Sequence, residues 1–157
     1  MRHGVKDAIA ASMEEFQPRV GPVFLGGTCN GSKWRDQVTP MLNLKAFNPV
    51  VENWSMETQQ IEEQAKREAI ASLFVITPKQ TGLYAAAELT KAAITEPERT
   101  VVAFLEEDEG DTWSEHQKAS NQAILDLVKD AGATVANNLE EAAAKVNEIG
   151  QGNPVVP

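Results

Sequence analysis

A five-stranded parallel α/β sheet is the fold this sequence predicts, on three observations. Five short apolar runs alternate with helix-like segments along the chain. The runs are apolar at successive residues rather than at every second one, as in strands covered on both faces. Gly, Pro or Asn closes several of them. Helices must then pack on both faces of the sheet. Right-handed crossovers leave the flavodoxin-like three-layer sandwich, strand order 2-1-3-4-5, as the simplest topology.

The elements follow in order. Val5, Ala8, Ile9, Met13 and Phe16 recur at three- and four-residue spacing, which predicts an amphipathic helix over 5–16. Val23-Phe24-Leu25, closed by Gly26-Gly27, is the first strand. Ser32 is placed to cap a helix over 33–42, and Ala46-Phe47 forms a short strand before Asn48-Pro49. Residues 56–71 are polar but helical in composition. Leu73-Phe74-Val75-Ile76 is the clearest central strand, stopped by Thr77-Pro78. A helix over 81–95 follows, with Thr81 as its cap and Glu88 about two turns in. Thr100 to Leu105 is the next strand, and 106–111 an acidic loop. A helix over 113–131 carries Ile124, Leu127 and Val128 on one face. A weak last strand, 133–135, and a helix over 138–149 complete the domain. The chain thus divides into an N-terminal helical extension (1–19), one domain (20–150) and a flexible tail (151–157).

Composition narrows the function classes. The single cysteine, Cys29, has no partner for a disulfide, and metal-ligand spacings of Cys and His are absent, which points to a reducing, cytoplasmic setting without a metal. No apolar run approaches the roughly 20 residues that cross a bilayer, so no membrane association is expected. A net charge of −9 repels phosphate backbones and argues against a nucleic-acid binder, while leaving room for a small phosphorylated ligand. The glycine-rich loop is neither a Walker loop nor a dinucleotide fingerprint, and no cofactor is expected.

Ligands of such sheets bind outside the carboxyl ends of strands 1 and 3, where chain order reverses. That rule selects two loops, 26–35 and 77–82. In the first, Gly26 and Gly27 allow close approach to the backbone, and Thr28, Asn30 and Ser32 offer side-chain donors. A plain βα turn would look similar, and nothing in the sequence activates Cys29 as a nucleophile. In the second, Thr81, Tyr84, Ala85 and Glu88 share a helix face beside Ala85-Ala86-Ala87. A lone helical Glu is usually a solvated residue.

Three ordered segments carry more weight: Val23-Phe24-Leu25-Gly26-Gly27-Thr28, Phe47-Asn48-Pro49-Val50-Val51 with Trp54, and Thr81-Gly82 followed by Glu88. Together, over roughly residues 20–135, they resemble the nucleoside 2-deoxyribosyltransferase-like family. The resemblance implies a flavodoxin-like domain that cleaves the N-glycosidic bond of a deoxynucleoside or its nucleotide, with Glu88 as nucleophile. It implies a substrate-binding set of Gly26, Gly27, Thr28, Asn30, Arg35, Asn48, Trp54, Thr81 and Gly82, with Trp34 or Trp54 stacking on the base. It also raises the option of a homo-oligomer. The sequence departs from the family pattern where Thr77 to Gly82 lacks a carboxylate, where Ser72 precedes the apolar stretch of strand 3, and where Phe24 stands in strand 1. Glu107, Asp108 and Asp36 are the acids left to fill the gap.

Two other readings compete: a nucleotide-binding module without turnover, which the missing carboxylates favour, and a TIR-like NAD glycohydrolase, which also uses a helix glutamate on a related sheet.

Overall fold

The structure is a computed structural model that describes residues 19–152. The predicted helix over 5–16 and residues 153–157 of the tail lie outside the described residues. The chain builds β1 (Val23–Gly27), α1 (Trp34–Val38), β2 (Ala46–Phe47), α2 (Met56–Glu68), β3 (Ala71–Ile76), α3 (Tyr84–Thr95) and β4 (Thr100–Phe104). A small hairpin of β5 (Glu107–Asp108) and β6 (Asp111–Thr112) follows, then α4 (Glu115–Asp130), β7 (Thr134–Ala136) and α5 (Leu139–Gly152). The main sheet has the order β2-β1-β3-β4-β7, parallel throughout. This is the predicted flavodoxin-like order, with the hairpin inserted before the last crossover.

Alternation along the strands divides the core. Val23, Leu25, Leu73, Val75, Val101 and Ala103 face α1 and α5, where Trp34, Val38 and Val146 complete a fully buried layer. Phe24, Phe74, Ile76 and Val102 face α3 and α4, meeting Ala85, Leu89, Ala93 and Val128. Phe24 lies between the rings of Phe47 and Phe74, with centroids 6.2 and 6.1 Å away. All six residues of β3 are buried, as its apolar run and central position require.

Several boundaries differ from the sequence reading, each for a local reason. The helix predicted over 33–42 stops at Val38 and continues as a 3-10 turn, Thr39–Met41, because Pro40 has no amide hydrogen to extend it. Ser32 does not cap α1. Its hydroxyl donates to Asp108 Oδ2 at 2.5 Å, and Lys33 holds the N-cap position without a side-chain capping bond. Nor does Thr81 cap α3: its hydroxyl oxygen accepts from Asn30 Nδ2 at 3.0 Å, and the helix begins at Tyr84. Glu88 is therefore the fifth residue of α3, one turn in rather than two. The acidic loop is a hairpin, and α5 runs on through Gly150 to Gly152, with Gly150 against Leu44. Capping boxes at Ser55 with Thr58 and at Ser114 with Gln117 start α2 and α4.

Gly27 is the most constrained turn residue. Its φ is +120°, and a Cβ there would lie 2.0 Å from the Val75 carbonyl oxygen, which also accepts from the Thr28 amide at 3.0 Å. Gly27→Ala should cost roughly 3 kcal/mol or more, read as a lower midpoint in chemical denaturation. An unchanged midpoint would show that the β1 exit can relax.

Candidate active site

α2 is a polar helix whose only buried residue is Ala65, so it has little apolar surface to press against the sheet. Between it and α3 runs a cleft of about 720 Å³. Ser72 and Phe74 of β3 contribute to its floor. Glu63, Lys66 and Arg67 line it from α2, and Tyr84, Ala87, Glu88, Lys91, Ala92 and Thr95 from α3. Arg19 and Glu96, joined by an ion pair, also line it. The volume falls in the range of small-molecule sites.

Glu88 is the least exposed of the three carboxylates that line this cleft, the others being Glu63 and Glu96. Its side chain is 13% exposed and forms an ion pair with Lys66. Lys66 also reaches Glu62 at 3.1 Å and Glu63 at 3.3 Å, and its ammonium sits 5.2 Å from the centroid of the Phe24 ring. Glu88 thus stands beside β1 and β3, on the sheet face that carries Phe24 and Phe74. Burial raises its pKa above the ordinary carboxylate value, and Lys66 opposes that rise. Burial taken alone would lower the Lys66 pKa, but Glu88 and Glu62 raise it overall, so this ammonium stays protonated at neutral pH. Such a carboxyl, desolvated and held beside a fixed cation, has the environment of a catalytic group as well as that of a structural ion pair. Lys66 is the side chain that favours the ionised form.

Lys66→Met removes the group that lowers the Glu88 pKa. Any activity that needs ionised Glu88 should then fall away at a higher pH on the acid side of its profile. Because the folded structure raises the Lys66 pKa, its stabilisation is present at neutral pH and is lost only as pH climbs through that raised value. The variant should also lose about 1–2 kcal/mol at neutral pH, discounted for partial exposure. A pH–rate profile together with a melting curve tests both.

The other residues expected at the site lie in a second region, the carboxyl edge of β1 and β3. The Thr28 side chain is buried, and its hydroxyl oxygen accepts from the Thr77 amide at 2.9 Å. Asn30 spans to the 77–82 loop, donating to Lys79 O at 2.8 Å and to Thr81 Oγ1. Lys33 and Lys79 pair with Glu109 and Asp111 around the hairpin. Arg35 is only 5% exposed and donates to the carbonyls of Leu25 at 3.1 Å, Thr28 at 2.7 Å and Gly27 at 3.4 Å. Trp34, which donates to Thr28 O at 2.8 Å, is buried beneath it, with the guanidinium 4.4 Å from the ring centroid.

Asn48 is exposed and accepts from the Val50 amide at 3.0 Å. Trp54 is 67% exposed on the loop before α2, and Gly82 faces open space. The structure therefore brings the Gly26, Gly27, Thr28 and Arg35 group together, and joins Asn30 to Thr81. None of these residues lines the cleft that holds Glu88. Glu107, Asp108 and Asp36 lie outside it as well.

Sequence reading missed Lys66, Arg67 and Lys91. A signal was present, because Glu62 and Lys66 stand four residues apart on a helix. That spacing also describes any solvated helix face, and only the approach of α3 separates the two cases.

Residues 21–107 match a family model described as nucleoside 2-deoxyribosyltransferase like. No curated protein and no solved structure shows a match to the chain.

Proposed function

Since the chain belongs to the nucleoside 2-deoxyribosyltransferase-like family, we propose that it cleaves the N-glycosidic bond of a 2′-deoxynucleoside or its nucleotide, with Glu88 as nucleophile. The observation that carries this reading is the placement of Glu88: a largely buried carboxylate in a cleft large enough for a nucleotide, on the sheet face beside β1 and β3.

The chemistry follows from what a carboxylate can do at an acetal carbon. A Glu88 oxygen attacks the anomeric carbon as the bond to the base nitrogen breaks, and the base leaves with that electron pair and takes up a proton. A glycosyl ester results. Water or a second base then attacks the same carbon and displaces the Glu88 carboxylate, which gives hydrolysis or transfer respectively. Lys66 favours the ionised form of Glu88 in the free protein, against the burial that raises its pKa. It must release at least part of that contact for the oxygen to reach carbon, so its three carboxylate partners matter: Glu62 and Glu63 retain the ammonium when Glu88 turns to the sugar.

The same ion pair favours a second reading, a binding module in which Lys66 neutralises Glu88 permanently. One experiment separates the two. The protein is incubated with each of the four 2′-deoxynucleosides and their 5′-monophosphates, with and without an acceptor base, and free base is followed by chromatography. Base release without acceptor indicates hydrolysis, and a new nucleoside indicates transfer. Absence of both, with ligand-induced thermal stabilisation, would leave the binding module.

A further inference from the structure

We infer that the cleft is built for an anionic ligand, a phosphate monoester on the substrate's sugar, held between Arg67 of α2 and Lys91 of α3. This rests on the glycosyl-transfer reading of the site and deepens it by choosing the nucleotide over the nucleoside.

The argument begins with charge. The chain as a whole carries −9. The cleft reverses that sign, with Arg19, Lys66, Arg67 and Lys91 set against Glu63, Glu88 and Glu96. Pairing removes most of these charges from play. Arg19 is joined to Glu96, and Lys66 is held by Glu62, Glu63 and Glu88. Among the described residues, Arg67 and Lys91 have no ion pair and no side-chain hydrogen bond, and they line one cleft from its two walls.

An acidic protein has many carboxylates with which to neutralise such a pair. Both side chains are exposed, and an anion between them would be attracted from both walls of the cleft. Guanidinium and ammonium groups together suit phosphate, the first by its fork of donors and the second as a compact charge.

Spacing supports the same ligand. Lys91 lies three residues after Glu88 and on the same side of α3, so their Cβ atoms are about 5–6 Å apart. Arg67 directly follows Lys66, the partner of Glu88. A sugar whose anomeric carbon meets Glu88 would thus place a substituent on its far side one helical turn along the cleft, between the two free cations. The focused positive charge would also draw an anion to a surface that otherwise repels it.

The test uses binding, so that it does not depend on turnover. Affinities of the four 2′-deoxynucleosides, their 5′-monophosphates and inorganic phosphate are measured by calorimetry on the Glu88→Gln protein and on the same protein carrying Arg67→Gln and Lys91→Gln. At least one monophosphate should bind roughly ten- to a hundredfold more tightly than its nucleoside, and this advantage should shrink with added salt. The double substitution should bring the ratio close to one. Arg67→Lys with Lys91→Arg, which keeps both charges, should preserve most of it, and melting curves confirm that each variant is folded. Equal affinity of nucleoside and monophosphate, or a preference that survives the double substitution, overturns the proposal. The two readings fail separately. Base released equally well from nucleoside and monophosphate would retain the chemistry and remove the clamp. A monophosphate preference that depends on Arg67 and Lys91, without any base release by the unsubstituted protein, would retain the clamp and remove the chemistry.

Discussion

Glu88→Gln is expected to reduce base release by roughly a thousandfold or more, with the melting temperature unchanged or slightly higher. The loss follows from the proposed role, because an amide has no negative oxygen to form the glycosyl ester and removal of a nucleophile is among the largest single effects in catalysis. The stability side follows from burial. The folded structure raises the Glu88 pKa, with desolvation the largest cause. A group with a raised folded pKa stabilises the fold most when protonated, below its unfolded pKa, and that contribution is lost as pH rises through the folded value. At neutral pH the ionised carboxylate is therefore a cost to the fold, which Gln does not carry. Lys66 remains satisfied by Glu62 and Glu63. The melting temperature should therefore hold level or rise by a few degrees, the familiar exchange of stability for function at active sites. A marked fall in melting temperature with activity retained would reassign Glu88 to a structural ion pair.

Arg35→Ala should have the largest effect on stability of any side-chain truncation among the residues expected at the site, about 3–5 kcal/mol, or on the order of 10 °C in melting temperature. The guanidinium is buried, and its donors meet three carbonyls around the β1 exit, those of Leu25, Gly27 and Thr28. Burial pulls its pKa below the ordinary arginine value. Alanine would leave these carbonyls short of donors and would open the space above Trp34. Arg35→Lys should recover only part of the loss, because one ammonium cannot reproduce the fork across three acceptors. A residue that contacts substrate directly behaves in the opposite way, leaving the melting temperature alone and raising KM. Melting curves beside steady-state kinetics on the same variants distinguish the two.

The gap between these two residues shows what could be read from the chain. Glu88 and Arg35 were both legible as candidates, one by its place after Thr81-Gly82 and one by its place in a glycine-rich loop. What sequence could not show was where each side chain would find its partners. Arg35 turns back onto backbone within ten residues, which no periodicity describes. Glu88 meets Lys66, 22 residues away on a helix that reads as ordinary solvated surface. Ser32 and Thr81 look like helix caps by local rule, yet contacts across 76 and 51 residues draw them to Asp108 and Asn30. Such long-range bonds override a cap worth about 1 kcal/mol.

Sequence by itself determined the sheet, because apolar runs at Val23 to Leu25, Leu73 to Ile76 and Val101 to Phe104 can be buried only as covered strands, and crossover handedness then orders them. It also placed a carboxylate on the helix after β3. Tertiary structure alone decided the rest: that a weakly apolar α2 stands off from the sheet and leaves a cleft, that Lys66 meets Glu88 inside it, and that Arg67 and Lys91 line its walls. Backbone pattern is written in neighbouring residues. Charge pairing depends on which surfaces packing brings within a few ångströms, and one sequence read along its length carries little record of that.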